Sequence, residues 1–175
     1  MISGLTSHSL LTLKFCQTCK LLAHLLGNLY RPPRTVHCSL CDSCVEQMDH
    51  HCPWLSNCVG KRNYRAFFAF ALSLWADCLF VLVSSAADLK RRTDMYASQR
   101  GLAQTDAVRA AFRSYPLSLP LIVFTFAAQV LVSVLLYYHC KITLANITTH
   151  EELKGVFHGY LFHPFSSGSS LGNLL

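Results

Sequence analysis

Charge is scarce in this 175-residue sequence: nine acidic and fifteen basic side chains, together 14% of the chain. So little charge, beside 52% hydrophobic residues and a mean hydropathy of +0.33, is unusual for a soluble domain and ordinary for a membrane protein. Residues 1–15 (MISGLTSHSLLTLKF) lack a charged start followed by an apolar core and a small-residue cleavage site, so no signal peptide is expected. They also lack an apolar run long enough to cross a bilayer. No internal repeat is read, which argues against a tandem array. The formal net charge of +6 suits nucleic acid or anionic lipid, but long apolar runs elsewhere favour a membrane and argue against nucleic acid.

Those runs are two. Residues 66–87 (AFFAFALSLWADCLFVLVSSAA) and 117–138 (LSLPLIVFTFAAQVLVSVLLYY) each suffice, at about 1.5 Å per helical residue, to span a core of about 30 Å. Asp77 lies near the middle of the first, where facing lipid costs about 2.5–3.5 kcal/mol, so it is expected to face the second helix or a cavity. Pro120 falls in the first turn of the second run, where a missing N–H is tolerated. Gln129 is expected to hydrogen-bond to the first helix. Between them, 88–116 reads as a polar loop on the lumenal side, and 139–175 as a polar tail. Two spans put both ends on one side. The Lys/Arg distribution decides little, with seven before the first span, six in the loop and two after the second.

What the chain has in abundance is cysteine and histidine, nine of each. Five of those cysteines and three histidines fall between His37 and Cys58 (HCSLCDSCVEQMDHHCPWLSNC), more than packing requires. With Cys16-x2-Cys19 upstream, the set Cys16, Cys19, His37, Cys38, Cys41, Cys44, His51 and Cys58 supplies eight ligands, enough for two closed Cys3His zinc sites of the structural kind. The region 16–65 is too small and polar to fold around an apolar core, so metal is expected to hold its loops and hairpins. Zinc thiolates must stay reduced, which places this region and both termini in the cytosol. The sequon Asn146-Ile147-Thr148 is then expected to stay unglycosylated.

Asp49, His50 and Cys52 remain. A thiolate is the reactive form of cysteine, and a neighbouring imidazole lowers its pKa or takes its proton, while a carboxylate fixes the imidazole tautomer. Two readings stay open on chemistry alone: a nucleophile with its base, or spare ligands of a shifted zinc arrangement.

The run Asp49-His50-His51-Cys52-Pro53-Trp54, with Asn57-Cys58-Val59-Gly60 and Asn63-x3-Phe67, resembles the signature of the DHHC protein S-acyltransferases, or palmitoyltransferases. Arg31-Pro32-Pro33-Arg34-x2-His37-Cys38 upstream resembles the family too. Thr148-Thr149-His150-Glu151 is similar to its TTxE motif. His163-Pro164-Phe165-Ser166-Ser167-Gly168 with Asn173 is similar to its C-terminal aromatic motif, with His for the usual Asn. Lys61-Arg62-Asn63-Tyr64-Arg65 and Glu151-Glu152-Leu153-Lys154-Gly155 most resemble the Ras-acylating Golgi and endoplasmic-reticulum subgroup.

The resemblance implies an α-helical membrane protein: two transmembrane helices and a small cytosolic cysteine-rich domain with two structural zinc sites. One zinc would take Cys16, Cys19, His37 and Cys44, the other Cys38, Cys41, His51 and Cys58. Cys52 would be the nucleophile, His50 the general base and Asp49 its orienter. The implied reaction moves an acyl chain from acyl-CoA (palmitoyl-CoA) to Cys52, then to a membrane-proximal cysteine of a substrate protein. Arg31 and Arg34 would meet the CoA phosphates, and Trp54 would lie beside the thioester. An accessory subunit or a related acyltransferase chain is a further implied partner. Two departures bear on activity. The two spans that usually precede the cysteine-rich region are absent from this sequence, and AHLLGNLY (23–30) resembles an insertion between Cys19 and His37. The expected form is therefore a truncated one, with slow self-acylation and little transfer. Its alternative is a catalytically impaired, zinc-dependent membrane interaction module.

Overall fold

A computed structural model of the protein describes residues 16, 19, 32–157, 164–167 and 169. Arg31, the 23–30 insertion, His163, Gly168 and Asn173 lie outside the described residues. The chain divides into two compact units: the described residues up to Phe67 together with those from Cys140 onward, and Phe68–His139.

The first unit is built on two hairpins of three-residue strands. β1 (Val36–Cys38) pairs antiparallel with β2 (Ser43–Val45), and β3 (His50–Cys52) with β4 (Asn57–Val59). Strands this short do not hold a sheet alone. The registers match: His37 lies opposite Cys44, and His51 opposite Cys58. Asp42 and Ser56, each just before the second strand of its hairpin, are both left-handed, at φ 46° and 47°. The absence of a repeat is thus corrected, because Val36–Val45 recurs fourteen residues later as His50–Val59. Only His, Cys, Cys and Val recur identically, at 37/51, 38/52, 44/58 and 45/59, so the sequence similarity is faint and the register carries it.

Two small cores form, and the first is shared between the hairpins, because Cys58 of β4 packs in it. Cys38, Met48 and Cys58 pack with Val36, Cys41 and Val45; Cys52, Val59 and Phe67 pack with Tyr64. Gly60 lets the two approach, since a Cβ there would sit 2.7 Å from Val45 Cγ1 and 2.9 Å from the Glu46 carbonyl. The Lys61 amide donates to that same carbonyl at 3.0 Å. Asn63 fastens the exit, accepting from the Gly60 amide and donating to the Cys58 carbonyl, each at 2.9 Å.

Helix α1 (Tyr64–Arg100) then runs for 37 residues without glycine or proline. The segment 88–116, expected as loop, is mostly helical: α1 continues to Arg100 and α2 (Gln104–Ser114) follows. The polar extension is carried by pairs one turn apart, Lys90–Asp94 at 2.8 Å and Arg92–Asp88 at 2.5 Å. Gly101, at φ 60°, ends α1 in the left-handed geometry that glycine adopts without strain.

Helix α3 (Ser118–Leu144) carries Pro120 in its first turn. Both α1 and α3 are long and apolar enough to cross a membrane. Both keep large apolar side chains exposed, including Phe80, Phe124 and Leu131. Within Phe68–His139, Trp75 Nε1 of one helix donates to Ser133 Oγ of the other at 2.9 Å. Gln129, expected in that role, has its Oε1 buried without a partner; its backbone carbonyl accepts from Ser133 instead. Trp75 reaches one turn further along α3 than the glutamine. Asp77, expected to face the second helix or a cavity, is exposed. The short α4 (Thr149–Leu153) closes the order of elements.

Candidate active site and metal centres

The hairpin registers bring the eight metal-type residues into two groups. Cys16, Cys19, His37 and Cys44 place their ligand atoms within 4.8 Å of one another, and so do Cys38, Cys41, His51 and Cys58. In the first, Cys19 Sγ lies 3.4 Å from both His37 Nδ1 and Cys44 Sγ. In the second, His51 Nδ1 lies 3.7, 3.3 and 3.6 Å from the sulfurs of Cys38, Cys41 and Cys58. Bonds of about 2.3 Å to sulfur and 2.0 Å to nitrogen set tetrahedral ligands roughly 3.5–3.8 Å apart, so both groups fit zinc. Burial and the neighbouring thiols push Cys44 and Cys58 up to about 12. Thiols crowded in this way call for a central cation. His37 turns its other nitrogen toward Asp42, at 3.7 Å, an orientation that suits ligation through Nδ1.

Cys52 and His50 belong to neither group. They sit on β3 with side chains on the same face, because residues two apart on a strand share one. Burial raises the Cys52 thiol, but the backbone amides of Leu55 and Trp54 and the His50 side chain outweigh it, and the net shift is downward. The 3-10 turn Pro53–Leu55 aims those amides back at the sulfur. His50 is pushed the other way, upward, chiefly by its hydrogen bond with Asp49 and against burial. His50 Nδ1 lies 2.7 Å from Asp49 Oδ2, and the His50 ring meets Phe67 edge-on at 5.2 Å. Cysteine held toward thiolate and imidazole held toward imidazolium stabilise each other, as an activated nucleophile requires.

Asp49 is only 2% exposed. Its carboxylate accepts from His50 and also from the Thr149 amide and the Thr149 hydroxyl, each at 2.8 Å. Thr149 opens α4, which is held by a reciprocal cap: the Thr148 hydroxyl accepts from the Glu151 amide, and Glu151 Oε2 accepts from the Thr148 amide. Sequence reasoning noticed the Thr-Thr-x-Glu run without giving it a role. The structure supplies one, since Thr149 orients Asp49.

Arg34 is engaged by residues of this chain. Its guanidinium, expected to meet phosphates, forks onto Glu151 through Nε and Nη2, both at 2.7 Å, and both side chains are 7% exposed. Nη1 and Nη2 also donate to the Asn146 side-chain and backbone oxygens, at 3.2 and 3.0 Å. The partners lie more than a hundred residues away in sequence, so no local pattern announces them. Trp54 is 94% exposed, beside the buried thiol.

A family profile described as DHHC palmitoyltransferase matches residues 10–156. The zebrafish (Danio rerio) palmitoyltransferase ZDHHC18-B is 39% identical over 166 residues, which is 92% of this chain and 38% of the relative. The mouse (Mus musculus) palmitoyltransferase ZDHHC14 is 37% identical over 165 residues, 92% of this chain and 30% of the relative. The Arabidopsis thaliana probable protein S-acyltransferase 5 is 34% identical across all 175 residues, 32% of that relative. The chain thus spans about a third of the length of the curated relatives it matches.

Proposed function

The chain belongs to the DHHC palmitoyltransferase family, and on that premise we propose that it is a protein-cysteine S-acyltransferase acting through Cys52. The observation that carries this reading is a buried thiol outside both Cys3His groups, with its pKa lowered, joined to a His50–Asp49 pair. The Cys52 thiolate attacks the thioester carbon of acyl-CoA, a C–S bond forms, and the CoA thiolate leaves. A substrate-protein cysteine thiolate then attacks the acyl-Cys52 thioester and releases Cys52. His50 holds the proton that Cys52 gives up, and Asp49 fixes the imidazole through Nδ1.

The metal groups are read as two zinc sites, held by Cys16, Cys19, His37 and Cys44, and by Cys38, Cys41, His51 and Cys58. Zinc there would supply folding energy and leave the chemistry to Cys52. Trp54, exposed beside the thiol, is read as a wall for the acyl chain. The cysteine-rich part and both termini are assigned to the cytosolic face of a Golgi or endoplasmic-reticulum membrane, because zinc thiolates need reduced surroundings. Substrates are proteins with cysteines near that face, and an accessory subunit is one further partner. Asn146 suits this orientation: its Nδ2 donates to the Phe165 carbonyl and its Oδ1 accepts from Arg34, so neither end is free for a glycan.

Incubation of the purified chain with an alkyne-tagged acyl-CoA tests the reading. The expected result is a hydroxylamine-sensitive adduct on Cys52, lost in Cys52→Ser. Each buried CH2 contributes about 0.8 kcal/mol to acyl-chain affinity, so two helices assayed alone are expected to self-acylate slowly and transfer little. Absence of the Cys52 adduct, even after fusion to the remaining helices of a full-length relative, would leave only the interaction-module reading.

A further inference from the structure

We infer that Arg34 is a positioning residue for the chemistry at Cys52, acting through α4 and locked in place by the tail segment around Phe165. The inference rests on the acyltransferase reading above and assigns this side chain a role distinct from phosphate binding. Arg34 has five N–H donors. Four bonds to Glu151 and Asn146 occupy all three of its nitrogens. The guanidinium face is covered as well, with the Phe165 ring centroid 5.0 Å away. Little of this cation is left for a CoA phosphate.

What Arg34 fixes is a helix too short to hold itself. α4 has five residues, and a single turn does not form on its own in water. Its geometry depends on the cap, and the cap depends on Glu151, whose Oε2 serves both the Thr148 amide and the Arg34 fork. One residue on from the cap, Thr149 presents its amide and hydroxyl to Asp49, which in turn holds His50. A path of short polar contacts therefore leads from Arg34 through Glu151, Thr148 and Thr149 to Asp49. Its outer end is tied down by Asn146, whose Nδ2 donates to the Phe165 carbonyl at 2.6 Å. Arg34 and Asn146 both sit at positive φ, 64° and 52°. Asparagine adopts that conformation readily just past a helix end, but arginine keeps it only when its surroundings hold it there.

The test uses the full chain in detergent or lipid nanodiscs, comparing wild type with Arg34→Ala, Arg34→Lys and Glu151→Ala. Two quantities are read: the self-acylation rate against acyl-CoA concentration, and amide hydrogen exchange in the peptide containing Thr149. Arg34→Ala and Glu151→Ala are expected to lower the saturating rate about a hundredfold, the scale of a misplacement near 1 Å. The half-saturating acyl-CoA concentration should stay unchanged, and Thr149 should lose exchange protection in both variants. Arg34→Lys keeps the charge without the fork and should fall between. Metal content reports whether Arg34→Ala has disturbed the adjacent cluster; if it has, Glu151→Ala, remote from the ligands in sequence, decides. A raised half-saturating concentration with the saturating rate intact would show that Arg34 reads the CoA phosphates and overturn the inference. Unchanged Thr149 protection would overturn it as well. If the wild-type chain never acylates Cys52, the acyltransferase reading fails, while Thr149 exchange still decides whether Arg34 positions α4.

Discussion

The two hairpins of the cysteine-rich unit have the same register and a left-handed residue at the same position before their second strand, yet their corresponding cysteines are placed differently, Cys38 within a metal-type group and Cys52 outside both. Cys38 ends β1 as Cys52 ends β3. Both sulfurs are held down by backbone amides of the turn that follows, Cys41 and Leu40 for Cys38, Leu55 and Trp54 for Cys52. Those amides correspond position by position. The difference lies in one side chain of the turn and one of the first strand, where Val36 corresponds to His50. The first hairpin offers Cys41, which joins Cys38 in a metal group; the second offers Leu55, which cannot ligate. Cys52 thus meets the same kind of turn amides as a cysteine of a metal-type group, and His50 lowers its pKa beside them.

The sharpest way to break the comparison is to make one substitution at both corresponding positions. Cys38→Ser should release one metal per chain and unfold the hairpins, since a structural zinc contributes about 10–16 kcal/mol of apparent binding energy to folding. Cys52→Ser should leave two metals per chain and abolish self-acylation. Metal analysis with circular dichroism reads both, and metal loss from Cys52→Ser would erase the distinction. Next in size, His50→Ala should lower the acylation rate about 10²–10⁴-fold, the range for losing a general base. An unchanged rate would assign the activation of Cys52 to the turn amides alone.

A milder change sharpens the same point. Thr149→Val removes the hydroxyl that donates to Asp49 and keeps the amide. A hydrogen bond to a charged group contributes about 1.5–3 kcal/mol, so the saturating rate should fall at least about tenfold while the metal content holds. Smallest in effect, Gly60→Ala should destabilise the unit by about 1–3 kcal/mol, because its Cβ would collide with Val45 and the Glu46 carbonyl where the hairpins meet. Denaturant midpoints of the metal-loaded chain measure this, and a midpoint equal to wild type would mean that the close approach is not required.

The parts of this molecule legible in the sequence are those written locally. Cys-x2-Cys spacings and apolar runs of about 22 residues express constraints that act within one turn or one helix, so the metal groups and both long helices could be anticipated. The repeat was missed because hairpin geometry is carried by register, and the intervening residues Ser39, Leu40 and Cys41 give way to Pro53, Trp54 and Leu55. Contacts between distant segments were less accessible still. Arg34 was expected at the CoA phosphates, and its contact with Glu151, 117 residues away, was not foreseen. Gln129 carried the polarity expected at the helix contact, whereas Ser133, one turn further, lies within reach of the Trp75 N–H. The region 88–116 looked like loop because its charges hid the one-turn pairs that keep α1 helical.

The central claim is that Cys52 is a thiolate freed from metal and available for acyl transfer, while its counterpart Cys38 is not. Mass spectrometry of the metal-loaded chain after exposure to palmitoyl-CoA tests it most directly, by locating the hydroxylamine-sensitive acyl group by residue and counting bound metal in the same sample. The account predicts one acyl group, on Cys52, with two metals retained. An acyl group on Cys38 or Cys41 instead, or acylation of Cys52 only as metal is lost, would contradict it.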